Sequence, residues 1–340
     1  MCRSSLLLLC SILLFSCKNG KQIPDVSNIK IELQAQRFEK DFFAIDTIDV
    51  VHGLNTLHDK YPVFLNEYIS QVLGFTAQTP KDTLTKYVRF FIRDYKFVKD
   101  SADLLYSDFN VQINEIKKGF QYVKYYFPSY KLPTKLITFI GPFDGYSDIL
   151  SAAGLAVGLQ LHMGSNFSFY KSDIAHDLFP EYITQRFTNE YIPVNSIKNI
   201  IDDLYPNKSM GRALIEQMVE NGKRIYLLDK FMPYTSDHLK IGYSDKQLKD
   251  CYVNEAIIWD FFLKNELLNN DDQNITKNYV GEGPKTQEFG DDSPGNIASF
   301  SGWQIVKKFM ERNPGTSLDA LMKTAPRDVY NASKYKPKVN

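Results

Sequence analysis

The chain is short of cysteine and histidine, has no net charge and carries a single long apolar run. Four cysteines occur in 340 residues, and three of them, Cys2, Cys10 and Cys17, crowd the N-terminus. The folded part keeps Cys251 alone, which excludes an intramolecular disulfide and a cysteine metal cluster. Lys plus Arg and Asp plus Glu number 40 each, so no net field exists for nucleic acid or anionic lipid to exploit. The histidines are His52, His58, His162, His176 and His238. None lies four residues from another and none precedes Glu, so the metal-binding pattern His-Glu-x-x-His is missing. Each reads as a surface or capping residue. There is no Gly-x-Ser-x-Gly elbow and no phosphate-binding loop. Cys251 lies inside an apolar helical stripe, as a core residue does. Stability must come from packing, and 21 Tyr and 24 Phe supply the area for it.

What the chain does have is a distinctive start. Arg3 precedes an apolar run at positions 6–15, and Ser16 precedes Cys17. Roughly ten apolar residues are too few to cross a ~30 Å hydrocarbon core. A small residue directly before cysteine is where a lipoprotein signal peptidase cuts, although Phe15 is bulkier than its position usually carries. The expected organisation is a signal peptide at residues 1–16, a flexible stalk at 17–28 and a single globular domain at 29–340. Cys17 would carry acyl chains, palmitate among them, and anchor the protein to a membrane; two or more chains hold stably where one does not. No second apolar run of about 20 residues follows.

Alternating apolar positions predict a strand over residues 29–38. Helical spacing takes over from 54 to 127. Residues 135–143 are rich in β-formers, and residues 147–161 read as two short strands split near Gly154. Helices then resume. Pro180 opens one through Phe187, Asn195 caps a second through Leu204, and Ser209 caps a third that ends at Pro233. Ser244 and Gln247 form a capping-box pattern ahead of one long helix with Leu248, Cys251, Trp259 and Phe262. Residues 269–299 are polar and rich in Gly and Pro, as in a long surface excursion. A last helix spans about 297–310. The fold class is α+β and predominantly α-helical, with helices around a small sheet built from residues 29–38 and 135–161.

Two carboxylates stand out because they fall on apolar helical faces. Glu255 shares its face with Cys251, Trp259 and Phe262, and Asp229 lies near Leu214, Met218 and Ile225. A buried charge of this kind needs a partner or a hydrogen bond. They line a polar cleft or are held by Arg, Tyr hydroxyl or backbone donors, and no second catalytic group stands at a telling spacing. Asp144, Tyr146 and Asp148 join as candidate cleft residues, in a turn where Asp is common for local reasons. No cofactor, metal or catalytic residue is indicated.

Six blocks, at residues 60–75, 138–170, 179–192, 214–233, 241–262 and 294–314, together with the Ser16-Cys17 junction, resemble the gliding-motility lipoprotein GldB family of the Bacteroidetes, in the family's order. The resemblance implies a periplasm-facing lipoprotein needed for gliding and linked to the secretion apparatus that exports surface adhesins. It implies no established catalytic activity. A more distant resemblance is to zincin-type peptidases. In that scaffold a Glu-Gly pair supplies the third metal ligand; here Asn221-Gly222 stands in its place, and the preceding helix, residues 194–204, has no histidine. That resemblance implies a degenerate zincin-like scaffold. The favoured expectation is a non-enzymatic, tethered component that binds partner proteins through exposed apolar patches near residues 269–299. The alternatives are an extracytoplasmic hydrolase built on Glu255 and Asp229, peptidase-like or acting on the cell wall, and a ligand- or glycan-binding lipoprotein.

Overall fold

A computed structural model describes residues 23–338. The expected signal peptide at residues 1–16 and the expected lipidation residue Cys17 lie outside the described residues. Val26, within the expected stalk, is buried at 4% exposure, and the carbonyl of Ile29 accepts a hydrogen bond from Gln121 Nε2 at 2.8 Å. The end of the stalk segment is therefore seated on the domain.

The protein is α+β and mainly helical, with one small mixed sheet among the described residues. Its strands are β1 (Gln34–Arg37), β2 (Lys135–Phe139), β3 (Asp148–Ser151) and β4 (Gly154–Gly158), in the order β1-β2-β4-β3. β1, β2 and β4 run parallel, and β3 closes the edge antiparallel to β4. β4 is buried at every position and β2 at all but Lys135, as expected of parallel strands covered on both faces. β1 is shorter than the alternation suggested: pairing with β2 begins only at Gln34, opposite Lys135, and Phe38 already opens the helix Phe38–Phe43. Phe38, Phe42, Phe64, Tyr68 and Phe139 form an aromatic layer between that helix, its neighbours and the sheet. The Tyr68 hydroxyl is buried within it and donates to the Ile140 carbonyl at 2.7 Å.

The C-terminal half is built on the helices Leu214–Phe231 and Ile297–Arg312, which cross at a glycine pair. A Cβ on Gly302 would stand 1.7 Å from the Met218 carbonyl oxygen, and one on Gly222 would stand 2.2 Å from the Gly302 carbonyl. Two backbones meet there with no room for a side chain. The helix Tyr191–Leu204 packs beside the first of these, Leu214–Phe231, and also reaches β3.

Two expected helix starts and one expected end differ. Asn195 lies inside Tyr191–Leu204, because Pro193 is tolerated in a first turn that needs no N–H there. Ser209 caps nothing; its hydroxyl donates to Asn207 Oδ1 at 2.8 Å, and the next helix starts at Leu214, whose N–H is taken by the Asn270 carbonyl. The helix after Pro180 is a single turn, Glu181–Thr184. The Ser244/Gln247 capping box is present, but the helix it opens breaks at Asn254 into Asp245–Val253 and Glu255–Lys264.

Residues 269–299 are folded onto the domain instead of forming a surface excursion. Thr286 is fully buried and donates to the Pro294 carbonyl at 2.8 Å, Ser293 bonds back to Thr286, and Tyr279 packs on Phe261 and Phe262. The segment carries none of the large exposed apolar side chains found among the described residues. Those are spread over the rest of the domain, and four of them lie on the two helices after Ser244: Tyr252 (37%), Val253 (72%), Ile257 (61%) and Leu263 (46%).

Candidate functional site

The helices Tyr191–Leu204 and Leu214–Phe231 present polar side chains to each other across a gap in otherwise apolar packing. On the first helix, Ile197, Ile200 and Ile201 are buried while Lys198 and Asp202 turn toward the gap. On the second, Asn221 and Arg224 do the same between Val219 and Ile225. The result is a half-open chamber of about 210 Å³, lined also by Arg186, Lys240, Glu282, Asn296 and Ser299. A second hollow of about 240 Å³ adjoins it and shares Arg186, Ile241, Glu282 and Asn296 as lining, with Tyr182, Tyr191 and Tyr243 on its walls. The Arg186–Glu282 ion pair, 2.8 Å, therefore stands at the boundary between them.

Cations outnumber carboxylates on the chamber wall. Arg224 Nη2 donates to the Tyr205 carbonyl at 2.5 Å, and Nη1 lies 2.9 Å from Asp202 Oδ1 but off the hydrogen-bonding line. Nε and Nη1 are buried without an acceptor. Lys240, 3% exposed, is neutralised by Asp229 at 2.8 Å and Asp237 at 3.0 Å. Lys198 makes no hydrogen bond or ion pair among the described residues. Burial, with Arg186 adding to it, pulls its pKa down to about 8 against the opposing pull of Glu282 and Asp202. Asn221 Nδ2 donates to Ser299 Oγ at 3.0 Å, and Ser299 Oγ donates to Asn296 Oδ1 at 2.5 Å.

Of the candidate residues, the structure places Asn221 on the chamber wall and Asp229 just behind it. Both Asp229 oxygens are occupied, Oδ1 by Lys240 and Oδ2 by Trp303 Nε1 at 2.9 Å. The other candidates are not brought in. Glu255 opens its own helix, and its Oε1 accepts from the Tyr335 hydroxyl at 2.7 Å. Asp144 and Tyr146 are exposed on the turn before β3 and line neither hollow. No motif singles out Lys198, Arg186, Arg224 or Glu282. Their only trace in the sequence is the polar stripe Asn195, Lys198, Asp202 on an isoleucine-rich helix. Among the described residues no group of three or more His, Cys, Asp or Glu is placed to hold a metal ion. Burial pushes the Cys251 thiol up to about 12, which keeps it protonated and unreactive near neutral pH.

His162 is a core residue and not the surface or capping residue expected. It is 1% exposed, with Nε2 2.9 Å from Asp148 Oδ2 and Nδ1 3.1 Å from the Thr188 carbonyl. Asn195 Nδ2 donates to the same Asp148 oxygen at 2.8 Å, so the cluster ties edge strand β3 to the helix Tyr191–Leu204. Both ring nitrogens face acceptors, which only the protonated imidazole satisfies. Burial alone would lower its pKa, but the Asp148 charge and hydrogen bonds outweigh it and the net shift is upward. The stability this contributes is complete below about pH 6.5, the unfolded value, and is lost as pH rises through the folded one. Wild type is expected to melt well above a His162→Gln variant at about pH 6, with the gap narrowing toward about pH 9 in thermal melts.

The profile of the family described as "Gliding motility protein GldB", labelled GldB_lipo, matches residues 19–337. The chain belongs to that family. It is thus a gliding motility protein, of a family whose label marks a lipoprotein of the cell envelope. Neither the curated proteins nor the solved structures yielded a match. No helix among the described residues is long and apolar enough to cross a membrane.

Proposed function

We propose that this protein is a non-catalytic component of the gliding machinery, anchored by acyl chains on Cys17 and facing the periplasm. It acts by contact with protein components of the motility and associated secretion apparatus. The observation that carries this reading is the family match over residues 19–337, joined to the signal-like leader that ends at Cys17. The exposed apolar side chains Val253 and Ile257 support it, since apolar groups left at the surface are what a partner contact covers. The hydrolase reading is supported less well: Glu255 and Asp229 are each engaged by donors and neither lines the chamber.

Deleting the gene is expected to stop gliding, and the Glu255→Gln gene is expected to restore it in full. The glutamine oxygen still accepts from Tyr335, so stability should change by less than about 1 kcal/mol. Single-cell tracking with a thermal melt of the purified variant checks both. A Glu255→Gln protein that melts normally but leaves cells immobile would revive the hydrolase reading.

A further inference from the structure

We infer that the face on which the N-terminal segment is seated, marked by Ile23, Tyr125 and Tyr234, lies against the bilayer surface and sets how the domain stands on the membrane. The inference rests on the anchor at Cys17 proposed above. Six peptide steps separate Cys17 from Ile23, the first described residue. Fully extended, they span at most about 22 Å. A compact domain of this length is about 50 Å across. The tether is therefore shorter than the domain is wide, and only the half of the surface around Ile23 can turn to the lipid.

The seating of the segment locates that half. Gln121, on the helix Asn110–Tyr126, holds the Ile29 carbonyl, and Val26 is buried. Asp25 stands within electrostatic reach of Lys118 and Tyr122 on the same helix. The segment thus lies over the stripe on which Lys118, Gln121 and Tyr125 follow at spacings of three and four. Tyr234 joins this face, with the Lys118 ammonium 4.7 Å from its ring centroid and Tyr122 adjoining it. Ile23, Tyr125 and Tyr234 are 40%, 48% and 68% exposed.

The side chains suit the headgroup layer. Tyrosine sets an apolar ring beside a polar hydroxyl and is enriched where membrane meets water. Lysine buries its stem along apolar surface and keeps its ammonium wet. Charge on this face is mixed: Lys118 is met by Asp25, and Glu115 lies one turn before Lys118 on the same stripe. The tether and the tyrosines therefore carry the contact more than lipid charge does. The far side is marked by the helix Glu255–Lys264. It packs on Ile297–Arg312, which packs on Leu214–Phe231, which in turn meets Asn110–Tyr126. Exposed Ile257 stands on it, three helices away from the seated segment and open to a protein partner.

Single-cysteine labelling of the mature protein, purified from membranes, tests the orientation. Cys251 is buried and Cys17 acylated, so an introduced cysteine is the reactive thiol. A nitrobenzoxadiazole label is placed in turn on Tyr125→Cys, Tyr234→Cys and Ile257→Cys. Each protein is reconstituted in vesicles of phosphatidylethanolamine and phosphatidylglycerol that carry a headgroup nitroxide lipid. The labels at 125 and 234 are expected to be quenched at least about threefold more strongly than the label at 257, as groups at the headgroup level should be. Flotation of the same vesicles reports the anchor separately. Protein that fails to float with them overturns the anchor and the orientation together. Protein that floats with all three labels quenched alike, or with the label at 257 quenched most, leaves the anchor standing and overturns the orientation. Should Tyr234→Cys fail to fold, the half-exposed Tyr125→Cys position carries the comparison with Ile257→Cys.

Discussion

Gly302→Ala is expected to lower the unfolding free energy by about 3 kcal/mol or more, although alanine is the better helix former. The substitution gains about 1 kcal/mol of helix propensity in the middle of Ile297–Arg312. Against this, the new Cβ would lie 1.7 Å from the Met218 carbonyl oxygen and 2.3 Å from its carbon. These are backbone atoms of the facing helix and cannot rotate away. The two helices must separate by more than an ångström or so at the closest crossing in the C-terminal core. Overpacking of well-filled cores costs about 1–3 kcal/mol when side chains can adjust, and here none can. Gly222→Ala meets the same wall from the other side, with contacts of 2.2 Å to Gly302. Gly315→Ala is the control: nothing lies within 4 Å of the place its Cβ would take, and the change should stay within about 0.5 kcal/mol. Urea unfolding of the three variants measures the differences. A Gly302→Ala protein as stable as the Gly315→Ala control would refute the glycine crossing.

The second large effect is expected at Asp229. Its side chain is 9% exposed and joins two helices through Lys240 and Trp303. Asp229→Ala strips Trp303 Nε1 of its acceptor and leaves Lys240, 3% exposed, with only the half-exposed Asp237. Breaking a buried ion pair from one side costs about 3–5 kcal/mol, because the remaining charge is stranded. The surviving Asp237 contact places the loss near the lower end, about 3 kcal/mol. Asp229→Leu combined with Lys240→Met removes both charges and is expected to recover most of that loss, apart from the orphaned indole N–H. Equilibrium unfolding of the single and double variants gives the coupling directly. A double variant no more stable than Asp229→Ala would mean that the ion pair is not what holds this corner.

The parts of the fold legible in the sequence are those set by local chemistry. Residues 135–139 and 154–158 read as strands because β-branched and apolar residues run without polar interruption, and both are buried strands. The Ser244/Gln247 box names its own helix start, and both reciprocal bonds are present. Asn195 and Ser209 mislead for one shared reason: a residue able to cap is also able to bond elsewhere. Asn195 is claimed by Asp148, 47 positions away, and Ser209 by Asn207. The break at Asn254 is hidden because the apolar spacing continues through it. Residues 269–299 look solvated because their polar groups satisfy one another inside the fold, as Thr286, Ser293 and Pro294 do. The chamber is almost invisible in the sequence. Lys198 and Arg224 sit on different helices, and Arg186 and Glu282 lie 96 positions apart, so no motif holds them together. Asn221 stands out only through a family resemblance, and Asp229 through its apolar neighbours.

The anchor decides the account. Cells carrying Cys17→Ala in place of the wild-type gene should be fractionated and tracked side by side. The expected result is a folded protein released from the membrane fraction and cells that no longer glide. Cells that glide normally while their Cys17→Ala protein is recovered free of membrane would contradict the reading of this protein as a tethered part of the machinery.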